Sequence, residues 1–190
     1  MSLKIIAGKF KGKKLLTTKD IRPATSLVRD SIFNISQNFI ENANFLDIFS
    51  GSGALGLEAL SRGARFATFI DNNFKSCQII KKNIRALSVE DQTFVVQKDA
   101  MKAIKTLEGP YDVITVDPPF IIYKEKPSYI NALLSLLRTK NLITPDSLIF
   151  LEEPTYSKRD PLVEDLDLLN KRKYGSCFLL EYACKKGLFN

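Results

Sequence analysis

Phe45-Leu46-Asp47-Ile48-Phe49 runs directly into Ser50-Gly51-Ser52-Gly53-Ala54-Leu55-Gly56, and this stretch decides the fold. A short apolar run rich in aromatic and branched residues, then a glycine loop, then a helical pattern over 54–62 closed by Gly63, is the opening unit of an α/β sheet. The next apolar run, 66–70, ends at Asp71, twenty residues after Gly51. Glycines let a ligand approach the backbone at a helix N-terminus, and an acid at that spacing can accept from both hydroxyls of a ribose. A nucleoside-containing cofactor is therefore expected at this loop.

Asp47, four residues ahead of Gly51, chooses among such cofactors. A carboxylate at the mouth of the loop repels a pyrophosphate, whereas it attracts the ammonium and sulfonium groups of S-adenosylmethionine. NAD is disfavoured on that ground.

Outward from the loop the pattern keeps alternating. A helix over 74–87 is followed by strand 93–97, a short helix over 101–107, strand 111–116, a helix within 128–138 and strand 147–151. Alternation of this kind predicts a parallel sheet with helices on both faces. Strands over 166–173 and 176–183 around Gly175 read as a pair joined by a tight turn. Upstream, apolar stretches around Gly8 and Gly12 over 3–17 suit a small strand pair that ends at Arg22-Pro23. A covering helix follows from 25 to about 40, with Val28, Ile32, Ile35 and Phe39 on one face. Residues 1–42 thus form a basic hairpin-and-helix extension, and 43–190 the α/β domain.

Two further acids close strands. Asp99, in Val96-Gln97-Lys98-Asp99-Ala100, is placed either to accept from an adenine amino group or to cap the following helix, and both roles are compatible. Asp117 ends the fourth strand and opens Asp117-Pro118-Pro119-Phe120. Two prolines fix φ and remove two N–H donors, which leaves a stiff loop that presents acceptors. The Asp117 carboxylate and the Pro118 carbonyl can each take one N–H of a planar amine, and Phe120 can stack on the attached base. No general base of high pKa is needed, because an alkylated amine loses its proton readily. Phe120 stands where a nucleophilic thiol would follow the prolines, so methylation of a pyrimidine ring carbon is disfavoured.

Composition agrees. The 190 residues contain no histidine, which removes Ser-His-Asp and Cys-His chemistry and His-ligated metals; no metal is expected. Cys77, Cys177 and Cys184 lack CxxC spacing, and an odd count argues against a disulfide framework. The formal net charge is +7, and Lys4, Lys9, Lys11, Lys13, Lys14, Lys19 and Arg22 against Asp20 leave +6 of it in the first 22 residues. Such a segment attracts a polyphosphate backbone or is simply a solvated face. No apolar run is long enough to span a membrane, and the N-terminus lacks a signal-peptide core, so a cytoplasmic protein is expected.

The chain resembles the RsmD-type bacterial methyltransferases, which modify the guanine N2 amine in 16S ribosomal RNA. The resemblance rests on Asp47 to Ala64, on Asp117-Pro-Pro-Phe120, on Ile5 to Leu15, on Arg22-Pro23, and on Val28-Arg29 with Phe33-Asn34. It implies a Rossmann-like, seven-stranded class I methyltransferase sheet with a reversed final strand. It also implies S-adenosylmethionine at Asp47, Gly51, Gly53, Asp71 and Asp99, with Ser50, Asn72 and Ala100 beside them, and catalysis at Asp117, Pro118, Pro119 and Phe120. Lys9, Lys11, Lys13, Lys14, Arg22 and Arg29 would then contact RNA. The implied partner is 16S RNA or a small ribosomal subunit, free or partly assembled, met by a monomer. Ser26 and Leu27 depart from the family's pattern, Asp71 stands where Glu is frequent, and 155–170 matches poorly and receives no function. The same turn also serves adenine-N6 and cytosine-N4 methylation of DNA, and an RNA-binding assembly factor without turnover is the alternative of another class.

Overall fold

The structure, a computed structural model, describes residues 3–17 and 26–185. The Arg22-Pro23 corner, and with it the expected RNA contact Arg22, lies outside the described residues.

The elements run α1 (Ser26–Ile35), β1 (Asn44–Ile48), α2 (Ala54–Ser61), β2 (Phe66–Asp71), α3 (Phe74–Leu87), β3 (Thr93–Gln97) and α4 (Ala100–Ile104). They continue with β4 (Val113–Val116), α5 (Ile122–Glu125), α6 (Tyr129–Thr139), β5 (Leu148–Pro154), β6 (Leu166–Tyr174) and β7 (Cys177–Cys184). The sheet has seven strands in the order β3-β2-β1-β4-β5-β7-β6. β1 to β5 pair in parallel, and β7 is antiparallel to both of its neighbours, so the reversed final strand is present. Strand order reverses between β1 and β4, and the crevice outside their carboxyl ends is where such sheets bind ligands.

One core lies between the sheet and α1, α2, α3 and the N-terminal segment, and it includes Leu3, Ile5, Leu15, Phe33, Phe45 and Phe69. The other lies under α4, α5 and α6, around Leu46, Ile114, Leu134 and Tyr182. α2 sits so close to β2 that a Cβ on Gly56 would come 2.3 Å from the Phe69 ring. Only glycine permits that approach.

Several boundaries differ from expectation: α4 ends at Ile104 rather than 107, β4 begins at Val113 rather than 111, and further differences have identifiable reasons. α1 stops at Ile35 because the Ser36 hydroxyl bonds back to the Ile32 carbonyl at 2.8 Å and the chain then turns, which leaves Phe39 43% exposed. β5 runs on to Pro154 because β7 pairs along its whole length, from Leu148↔Ala183 to Pro154↔Cys177. α5 is an addition, started by the Ile122 N–H donating to the Pro119 carbonyl at 2.9 Å. β6 carries an irregularity between Leu168 and Asn170.

In place of the expected strand pair the N-terminal segment folds back as a hairpin with a single isolated bridge, Lys4↔Lys14, the Ile5 N–H donating to Lys13 at 3.0 Å and the Leu15 N–H to Leu3 at 2.9 Å, because the turns at Gly8 and Gly12 leave too few paired residues for a ladder. It docks along α2. The buried Glu58 carboxylate accepts from the Ile6 and Ala7 N–H groups at 2.7 and 2.9 Å and from Arg62 Nε at 2.8 Å. The Lys9 N–H donates to the Ser61 carbonyl at 2.7 Å, which satisfies an orphan acceptor at the helix end. Gly8 has φ +79°, and a Cβ there would lie 1.8 Å from that carbonyl oxygen. Replacing Glu58 with Ala strands two backbone donors and Arg62 in the interface, which costs about 3 kcal/mol. A melting midpoint lower by about 10 °C, with rapid tryptic cleavage at Lys9 to Lys14, is the expected result. An unshifted midpoint and an uncut hairpin would contradict this docking role.

Candidate cofactor and catalytic site

Alternation along the strands sends Asp47, Asp71, Thr115 and Asp117 to the face whose preceding positions, Phe45, Phe69 and Val113, belong to the core under α2 and α3. Asp47 pairs in register with Thr115, one residue short of the ends of β1 and β4. Its carboxylate is 1% exposed, accepts the Thr115 hydroxyl at 3.0 Å, and accepts the Gly56 N–H at 3.2 Å. Burial outweighs both donors and pushes Asp47 up to about 7, with the Asp71 charge adding to the rise. A buried carboxylate so reluctant to ionise is suited to a cationic ligand group at the loop mouth.

The glycine loop is fastened from both sides. Ser50 donates its hydroxyl to the Asp47 carbonyl at 2.6 Å and its N–H to the Ile70 carbonyl at 3.0 Å, so its side chain holds the loop. Gly53, at φ +77°, precedes α2 directly. Asp71 accepts the Gly51 N–H on one oxygen and the Asn73 N–H on the other, each at 2.8 Å. Each carboxylate oxygen has a second lone pair for a hydroxyl. Burial raises the Asp71 pKa against those two donors. Asn72 is exposed beside it, and Asn73, which pattern reading passed over, caps α3 by accepting from Lys75 and Ser76.

Asp99 caps α4 through the Lys102 N–H at 3.2 Å, and Ala100 behind it is buried. Its other oxygen accepts the Tyr129 hydroxyl at 3.2 Å. Burial and Asp99 together push Tyr129 up to about 12, so it remains the donor. Nothing in the local sequence signals this contact, because Tyr129 comes from α6, 30 residues away.

The Asp117-Pro118-Pro119-Phe120 turn leaves β4 with the Asp117 N–H donating to the Ile48 carbonyl at 3.2 Å. Asp117 therefore stands at the β1–β4 junction, two residues past the partner of Asp47. Pro118 is buried, Pro119 is exposed, and Phe120 packs against both cores. The Tyr123 hydroxyl donates to the Glu152 carbonyl at 2.7 Å, which ties the helix after the turn to the end of β5.

Lys9, Lys11, Lys13 and Lys14 are all exposed. The hairpin tip lies at the far end of α2, about 12 Å from the glycine loop, and Leu16 returns beside it: Asn83 Nδ2 bridges the Leu16 and Ser52 carbonyls at 3.0 Å each. Arg29 corrects its expectation as an RNA contact. It is 4% exposed, donates to the Lys4 carbonyl at 3.2 Å, and has its pKa lowered by burial, so it supports the hairpin from beneath.

Comparison with known proteins fits this architecture. "Putative rRNA methyltransferase YlbH" of Bacillus subtilis is 34% identical over 178 residues, covering 91% of this chain and 94% of that one. "Ribosomal RNA small subunit methyltransferase D" of Buchnera aphidicola subsp. Acyrthosiphon pisum is 32% identical over 185 residues, covering 95% and 92%. The solved structure "Putative methyltransferase yhhF from Escherichia coli" superposes with a TM-score of 0.85 at 30% identity, over 97% of this chain and 99% of that chain. The family model described as conserved hypothetical protein 95 matches residues 3–183. With all but the last residue of its sheet, its glycine loop and its Asp-Pro-Pro-Phe turn inside that match, the chain belongs to this family, the one its resemblance to the RsmD-type enzymes indicates.

Proposed function

We propose that this protein transfers a methyl group from S-adenosylmethionine to the exocyclic N2 amine of a guanine in 16S ribosomal RNA. One observation carries the reading: the buried acid Asp47 and the acceptor turn at Asp117 sit on adjacent strands, so a cofactor bound at one lies beside an amine held at the other. The relatives named for small-subunit ribosomal RNA methylation support the substrate.

S-adenosylmethionine, when bound, supplies an electrophilic methyl group. The residues present fit it: Asp47 takes the ammonium end, Asp71 the ribose hydroxyls, Asp99 the adenine amino group, and Gly51 and Gly53 allow close backbone approach. The Asp117 carboxylate and the Pro118 carbonyl accept the two N–H groups of the amine, which aims its lone pair, and Phe120 stacks on the guanine. Positive charge that develops on nitrogen is stabilised by Asp117. The exposed lysines of the hairpin hold RNA phosphate, and three buried free cysteines suit the reducing cytoplasm in which ribosomal subunits are built. No described helix is long and apolar enough to cross a membrane.

The test offers the protein labelled cofactor with unmethylated small ribosomal subunits, free 16S RNA and duplex DNA in parallel, and identifies the methylated nucleoside by mass. N2-methylguanosine from the ribosomal samples is expected. Methyladenine or methylcytosine in DNA would replace this reading with the DNA enzyme, and cofactor binding without transfer anywhere would leave an assembly factor.

A further inference from the structure

The chain between β5 and β6 has no part in the site described so far, yet a buried network fixes it. Arg159, 8% exposed, donates from Nε to Glu153 at 2.7 Å, from Nη1 to Asn131 at 2.7 Å, and from Nη2 to the Tyr182 hydroxyl at 2.8 Å. The Tyr182 hydroxyl donates onward to the Pro161 carbonyl at 2.8 Å. Burial alone would lower the Arg159 pKa, but Tyr182 and Glu153 outweigh it and keep the guanidinium charged. A loop fastened in this way presents its outward residues at set positions.

Tyr156 is such a residue. Its ring is 49% exposed, its hydroxyl donates to the Phe120 carbonyl at 3.2 Å, and Lys124 Nζ of α5 lies 4.8 Å from its centroid. The Thr155 N–H donates to the Ser176 carbonyl at 3.0 Å, which joins this loop to the β6–β7 turn. On β7, Phe178 is paired with Glu153, and Lys171 Nζ of β6 lies 4.3 Å from its ring. Pro154 ends β5 in a turn that the Ser157 N–H closes on the Pro154 carbonyl at 2.9 Å, so Tyr156 leaves the sheet just past the strand that carries Glu153. Phe178 packs on the α4–α6 face of the sheet, opposite the face that the N-terminal segment covers, and Tyr156 stands against the catalytic turn. Aromatic rings that each carry an ammonium are the chemistry of single-stranded nucleic acid, in which bases stack and phosphates pair with the cations.

We propose that Tyr156 with Lys124, continued by Phe178 with Lys171, forms a second RNA-contacting surface that takes the unpaired nucleotides flanking the methylated guanine. It rests on the RNA methyl-transfer reading above. The target strand is thereby held from both sides of the Asp117 turn.

Steady-state methylation of unmethylated small ribosomal subunits, with S-adenosylmethionine affinity measured alongside by calorimetry, tests this on Tyr156→Ala, Tyr156→Phe and the Lys124→Ala, Lys171→Ala double variant. Loss of one stacking ring is expected to raise the KM for subunits about tenfold in Tyr156→Ala, with kcat and cofactor affinity within about twofold of wild type. Tyr156→Phe keeps the ring and stays near wild type. The double lysine variant flattens the dependence of log KM on log salt by one to two units. A wild-type KM in Tyr156→Ala overturns the proposal, as does a Tyr156→Phe whose kcat falls as far as that of Tyr156→Ala, which would make the hydroxyl a brace for the turn. Wild-type protein that neither binds nor methylates subunits would instead overturn the underlying reading.

Discussion

Asp47→Asn is expected to weaken S-adenosylmethionine binding at least about a hundredfold and, at pH 8, to make the protein more stable. The binding loss follows from removing the carboxylate that, on the proposed reading, would pair with the cofactor's ammonium in a buried site. The stability gain follows from linkage. Asp47 titrates near 7 in the fold against an ordinary value of 3.8, so the native state holds a proton that the unfolded chain has released. Between those two values stability falls as pH rises, and above pH 7 the full penalty of about 4 kcal/mol is in force. Asparagine removes the ion but keeps only one acceptor for Thr115 and Gly56, which returns roughly half of the gain. A rise in melting midpoint of about 5 °C at pH 8, vanishing near pH 4, is the expected pattern. The same titration makes cofactor affinity of the native protein fall about tenfold per pH unit below 7, because an ammonium pairs only with the carboxylate. A midpoint that drops at pH 8 would show that Asp47 is an internal acceptor and not an ion held for a ligand.

Asp117→Ala is expected to lower the rate of methyl transfer about a thousandfold while S-adenosylmethionine affinity changes by less than about threefold. On the proposed reading the carboxylate would meet the amine and the charge that grows on it, and removing one such preorganised group typically costs about two to three orders of magnitude. Asp117→Asn keeps an acceptor without the charge and should fall between the two. Single-turnover transfer to unmethylated small subunits, with cofactor binding measured separately, decides the matter. A rate near wild type would remove Asp117 from the chemistry.

Much of this was legible in the residues, because hydrophobic alternation and glycine punctuation are local. The β1–glycine loop–α2 unit and the spaced acid Asp71 stand where the pattern placed them. What escaped is what the tertiary fold decides. Glu58, in Ala-Leu-Gly-Leu-Glu, resembles any helical surface acid, and its role comes from backbone donors 52 and 51 residues away. The family resemblance implies an RNA contact at Arg29, whereas the segment that covers it is held in place by those same distant bonds. Tyr129 opens a helix whose period says nothing of its hydroxyl, Tyr156 sits in a stretch without a pattern, and the two hydroxyls find partners 30 and 36 residues away.

The place of β6 has a consequence for how copies of this chain treat one another. It ends the sheet, and at nine residues it offers a long row of backbone groups to any extended chain that reaches it. Unguarded rows of this kind seed aggregation. Here the irregularity at Leu168 to Asn170 bends the strand, and Lys171, Arg172 and Lys173 follow in succession. Two such edges brought together would set like charges face to face, so self-association through β6 is disfavoured for as long as these cations remain. Replacing them with neutral β-branched residues would trade a guarded edge for a sticky one.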